Sequence, residues 1–191
     1  MKITNLLTLA PVLISVTLSA QGVFSNNTQS ILEKVIRDYP NHFYNIKGEM
    51  IGQALQATRY KSTIQLPGSS SSTITLYSAS HNEGSGWTCN VLEAGNFSQA
   101  KTKFAEIYGQ LSNSIITTGG QKTFILSGQY EEPVEEKKCT RVLFTLLPGV
   151  GDMKKLKVDL CLKEEGKGWN ISLTVEDLDP KEESAVAVVT P

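Results

Sequence analysis

Three runs dense in β-branched and aromatic residues, Arg59–Leu66, Thr73–Ser78 and Trp87–Leu92, are joined by links too short to hold a crossover helix. The first link is Pro67-Gly68-Ser69-Ser70-Ser71-Ser72 and the second contains His81-Asn82-Glu83-Gly84-Ser85-Gly86. Parallel neighbours need a connection of about a dozen residues or more, so these strands are expected to pair antiparallel.

Two amphipathic segments frame them. Ser30-Ile31-Leu32-Glu33 has the form of a capping box, in which serine and glutamate exchange hydrogen bonds with each other's backbone amides. After it Ile31, Leu32, Val35, Ile36 and Tyr39 share one helical face, and Pro40 ends the helix. Gly95-Asn96 opens a second helix with Phe97, Ala100, Phe104, Ile107, Tyr108 and Leu111 on one face. Strand-like runs resume at Lys122–Tyr130, Thr140–Leu147, Leu156–Leu162 and Trp169–Val175. The expected fold is α+β: a mostly antiparallel sheet of about 6–7 strands with two amphipathic helices packed on one face, in the order α-βββ-α-ββββ. Each half reads as a helix plus a meander, without a residue-level repeat.

The N-terminus has the pattern of an export signal. A single basic residue, Lys2, precedes the uncharged run Leu6–Ala20, which is shorter than the roughly 20 apolar residues that span a bilayer. The small residues Ser19 and Ala20 place cleavage before Gln21. The expected organisation is a signal peptide at 1–20, a flexible segment at 21–29, one α+β domain at 30–178 and a polar-to-apolar tail at 179–191. Export implies a secreted or periplasmic protein, with no stable membrane insertion.

With a formal net charge of −1 and no basic stripe, the chain lacks the clustered cations that release counterions from DNA or RNA, and no nucleic-acid partner is expected. No cofactor or metal signature is present: the two histidines, His42 and His81, have no ligand-spaced companions. Gly84-Ser85-Gly86 lies between strands rather than at a strand-to-helix elbow, so it reads as a hairpin loop and not as a nucleophile. Gly149-Val150-Gly151 lacks the third glycine of a dinucleotide fingerprint. No catalytic residue is assigned.

The most distinctive segment is Asp38–Glu49, an aromatic-rich loop in which Tyr39, His42, Phe43 and Tyr44 are the candidate binding surface, while the plainer and favoured reading has Tyr39, Phe43 and Ile46 seal one end of the core. The functional expectation is an exported, non-enzymatic domain that binds a small molecule, a peptide or an envelope protein through the sheet face or an edge strand. The alternative is a small extracytoplasmic hydrolase assembled from the His42 and His81 loops.

The three cysteines add a covalent expectation. Alternation in Val142, Phe144 and Leu146 and in Leu156, Val158, Leu160 and Leu162 fixes the parity of the hairpin between Thr140–Leu147 and Leu156–Leu162. One register of that parity sets Arg141 opposite Lys157, a repulsive pair. The favoured one sets Cys139 opposite Cys161, Arg141 opposite Asp159, Val142 opposite Val158 and Phe144 opposite Leu156, with Pro148–Asp152 as the turn. The next one over also matches apolar to apolar. A disulfide between Cys139 and Cys161 would close a loop of about 20 residues and contribute roughly 3 kcal/mol, leaving Cys89 as a buried thiol.

Overall fold

The computed structural model describes residues 27–78, 84–119 and 122–177. The expected signal peptide and its cleavage site, positions 21–26, His81 and the tail at 179–191 lie outside them.

Helix α1 (Asn27–Asp38) leads through two short 3-10 turns into a meander of β1 (Lys47–Ala54), β2 (Ala57–Ser62), β3 (Ser71–Tyr77) and β4 (Ser85–Ala94). Helix α2 (Phe97–Leu111) then precedes a second meander of β5 (Ile115–Thr118), β6 (Lys122–Gly128), β7 (Cys139–Leu147), β8 (Leu156–Glu165) and β9 (Gly168–Asp177). All nine strands form one antiparallel sheet in the order β1-β2-β3-β4-β9-β8-β7-β6-β5. The α+β class therefore stands, with α-ββββ-α-βββββ in place of α-βββ-α-ββββ. The added strands are β1, which takes up Lys47–Glu49 of the expected loop, and β5, which lies in the expected linker after α2.

The two meanders meet at β4 and β9, so the last strand of each half pairs with the other. The helices bind the halves together further: α2 packs over β4, β9 and β8, and α1 packs on β5. One face of the sheet buries Ile74, Trp87, Leu126, Phe144, Leu160, Ile171 and Leu173 in a single cluster with Leu32 and Val35 of α1 and Phe104 and Leu111 of α2. Fully burying a side chain of this size stabilises by about 1.5–3 kcal/mol. Cys89 belongs to this cluster and is fully buried.

Among the described residues the other face carries no helix. Thr73, Thr88, Thr174 and Asp159 run across it as one row of directly paired residues, and Ser71, Asn90, Ser172, Cys161 and Arg141 as the next. The Thr88 and Thr174 hydroxyls are 3.2 Å apart.

Two local expectations are corrected. Helix α1 starts at Asn27, so Ser30 is an interior residue and no capping box forms; the Glu33 carboxylate instead accepts from Arg37 Nη2 at 2.8 Å. The β7–β8 register sets Cys139 opposite Lys163, Arg141 opposite Cys161, Val142 opposite Leu160 and Phe144 opposite Val158, one rung from the expected one. The connection explains the shift. Instead of a five-residue turn, residues 148–155 form a longer link whose 3-10 turn, Gly151–Lys154, buries Met153.

Candidate functional site

The loop after α1 is organised by a buried carboxylate. Asp38 Oδ2 accepts from the Asn45 backbone amide at 3.0 Å, and Oδ1 accepts from Asn45 Nδ2 at 2.5 Å and Asn41 Nδ2 at 3.4 Å. Its carbonyl accepts from the Phe43 amide at 3.2 Å. These bonds hold His42 and Phe43 in consecutive left-handed conformations, φ 52° and 60°, which non-glycine residues seldom adopt. The strained pair reverses the chain so that Phe43 enters the core while His42 stays on the surface.

The four expected surface residues therefore part company. Phe43 is fully buried and acts as a plug. Tyr44 is 54% exposed and lies under the Lys47 ammonium, 3.9 Å from its ring centroid. Tyr39 and His42 line a cleft of about 240 Å³ together with Pro40, Ser85, Asp152, Lys155 and Asp177.

Sheet order explains why these residues converge. β4, β9 and β8 are adjacent, and the start of β4, the end of β9 and the start of β8 fall at one end of the sheet, with Gly86 opposite Glu176 and Leu156 opposite Asp177. The 3-10 turn before β8 brings Asp152 and Lys155 to that end, and the turn after α1 brings Tyr39 and His42.

Tyr39 is nearly buried beside the Asp177 carboxylate. Burial first, then the neighbouring Asp177 and Asp152 carboxylates, hold the phenol protonated far above its ordinary range. Ser85 is only 3% exposed, yet its Oγ finds no hydrogen-bond partner among the described residues. No ion pair among the described residues joins Lys155 to Asp152 or Asp177, so charges of both signs line the cleft without neutralising one another. From sequence Ser85 reads as a hairpin-loop residue, whereas it is the first residue of β4. The signal for its role is positional, since it opens the strand that borders β9.

At the opposite end of the same strands lies a wider depression of about 720 Å³, lined by Asn90, Glu93, Glu165, Lys167, Trp169 and Asn170 among others. It lacks the aromatic hydroxyl and histidine of the first cleft.

The remaining pair, Cys139 and Cys161, sits on the helix-free face with Sγ atoms 4.0 Å apart and no bond between them. Among the described residues no group of three or more His, Cys, Asp or Glu side chains is placed to hold a metal ion. No helix among them is long and apolar enough to cross a membrane. Comparison with protein-family models, with curated proteins and with solved structures finds no match to this chain.

Proposed function

We propose that the protein is an exported, non-enzymatic binding domain that takes a small zwitterionic ligand of the α-amino-acid kind into the cleft lined by Tyr39, His42, Ser85, Asp152, Lys155 and Asp177. The observation that carries this reading is the buried Ser85 hydroxyl without a partner in a cleft bearing both charge signs. An unpaired buried hydroxyl costs about 1–3 kcal/mol, and a ligand group that bonds it recovers that cost on binding. Lys155 offers a partner for a carboxylate, and Asp152 and Asp177 offer partners for an ammonium. The volume of about 240 Å³ falls below the ~300–1,000 Å³ of drug-sized pockets and favours a small ligand.

A hydrolase in this cleft would need a nucleophile hydrogen-bonded to its base. Among the described residues Ser85 Oγ has no such bond and Cys89 lies in the core, which favours the binding reading.

Calorimetric titration of the full chain with glycine, alanine and aspartate, and with the matching amines and carboxylic acids that lack one of the two charges, tests the reading. Saturable binding confined to the zwitterions is the expected result. Equal responses to all three groups, or none, would overturn it. For export, the intact mass of protein recovered from outside the cytoplasm should correspond to a chain beginning near Gln21, and a retained Met1 would contradict it.

A further inference from the structure

We infer that Cys139 and Cys161 form a reversible disulfide between β7 and β8 by exchange with a small-molecule disulfide, Cys139 reacting first and Cys161 closing the bond. The inference rests on the helix-free face of the sheet and is independent of the ligand cleft.

The two thiols are diagonal neighbours: Cys139 is opposite Lys163 and Cys161 is opposite Arg141, yet the Sγ atoms stand 4.0 Å apart. The Arg141–Asp159 ion pair runs along the same diagonal, Nη2 to Oδ2 at 2.6 Å. Two side-chain pairs leaning the same way mark this as the diagonal that strand twist draws together. Reaching the ~2.05 Å sulfur–sulfur bond then asks for side-chain rotation and a small approach of two strands already in register. The Arg141 guanidinium is engaged by Asp159, one step along the same diagonal.

Exposure sets the order of events. Cys139 is exposed and meets the incoming disulfide, whereas Cys161 is partly buried. Burial, then the neighbouring Cys139 and Asp159, push the Cys161 thiol up to about 12. The Cys139 thiolate attacks one sulfur of RSSR, giving Cys139–S–S–R and releasing one thiol, RSH, after proton uptake. Cys161, losing its proton to solvent, then attacks Cys139 Sγ and expels the second RSH. Two protein thiols are oxidised, one external disulfide is reduced to two thiols, and protons and electrons balance. Cys89, fully buried in the core, takes no part.

The test equilibrates the folded full chain with oxidised glutathione, blocks remaining thiols with N-ethylmaleimide, and maps peptides without reduction. The expected products are a Cys139–Cys161 crosslink and a Cys89 that alkylates only after denaturation. In Cys161→Ser the reaction should stop at a stable glutathione adduct on Cys139, and added dithiothreitol should return the wild type to three thiols. Free Cys139 and Cys161 in native wild type after prolonged excess oxidant, or a crosslink that contains Cys89, would overturn the inference. Mapping of the unmodified chain decides the matter even if the variant fails to fold.

Discussion

Arg141 reaches Asp159 along a diagonal of the β7–β8 ladder, while the residue directly opposite it is Cys161. Three nitrogen–oxygen contacts of 2.6–3.3 Å form the pair, and the bond to Asp159 holds the guanidinium above its ordinary range. The two partners differ in exposure: the Asp159 side chain is 9% accessible and that of Arg141 48%. Removing arginine therefore strands a carboxylate away from water, whereas removing aspartate leaves a cation that solvent can reach. Arg141→Met should destabilise by roughly 1.5–3 kcal/mol and Asp159→Ala by about 1 kcal/mol, measured by urea unfolding at neutral pH. Equal losses would contradict the asymmetry.

The same residues show how far a sequence reads. Alternation fixed the faces of β7 and β8, and the expected partners, Arg141 with Asp159 and Cys139 with Cys161, do come together. The rung is different because a long guanidinium spans a diagonal as readily as a rung, so a charge pair cannot choose between registers of equal parity. α2 was legible because its apolar face is complete and Asn96 caps it, accepting from the Gln99 amide at 2.9 Å. β1 was not, since it is an edge strand with three consecutive exposed residues and no clean alternation. β5 has only four residues, too few for a period to show. The cleft was half legible: local aromatic density flagged Tyr39 and His42, but Ser85, Asp152, Lys155 and Asp177 join them only through the pairing of β4, β9 and β8.

Two glycines should respond to alanine with opposite signs. A Cβ on Gly168 would lie 2.6 Å from the Ala94 carbonyl oxygen, a backbone atom that cannot move aside without disturbing the β4–β9 junction. Gly109 lies inside α2 with open space where a Cβ would sit. Gly168→Ala should cost about 1–3 kcal/mol. Gly109→Ala should stabilise by about 0.5–1 kcal/mol through the loss of unfolded-chain freedom and better helix propensity. Thermal unfolding of the two variants checks both signs.

Tyr39 predicts an alkaline weakness. Its pKa is raised in the folded chain, so its contribution is complete below the ordinary phenol value of 10.0 and is lost as pH rises beyond it, because only the unfolded chain gives up the proton there. The stability difference between wild type and Tyr39→Phe should fall above about pH 10 with a slope of up to ~1.4 kcal/mol per pH unit. At neutral pH the variant should lose no more than about 1 kcal/mol, the polar contact between the Tyr39 hydroxyl and Asp177. A difference that stays flat from pH 8 to about 11 would contradict this account.

The cleft at the β4–β9–β8 end is proposed to hold its polar groups ready for a ligand, and Ser85→Ala tests this most directly. Among the described residues the Ser85 hydroxyl has no hydrogen-bond partner to lose. Its removal should leave unfolding stability unchanged or raise it by about 1 kcal/mol. In the ligand-bound protein the same change removes a hydrogen bond, so calorimetric affinity for the zwitterion bound by wild type should fall by about 10-fold, or ~1.4 kcal/mol. Stability kept and affinity lost is the predicted outcome; a destabilised variant that binds the zwitterion as tightly as wild type would contradict it.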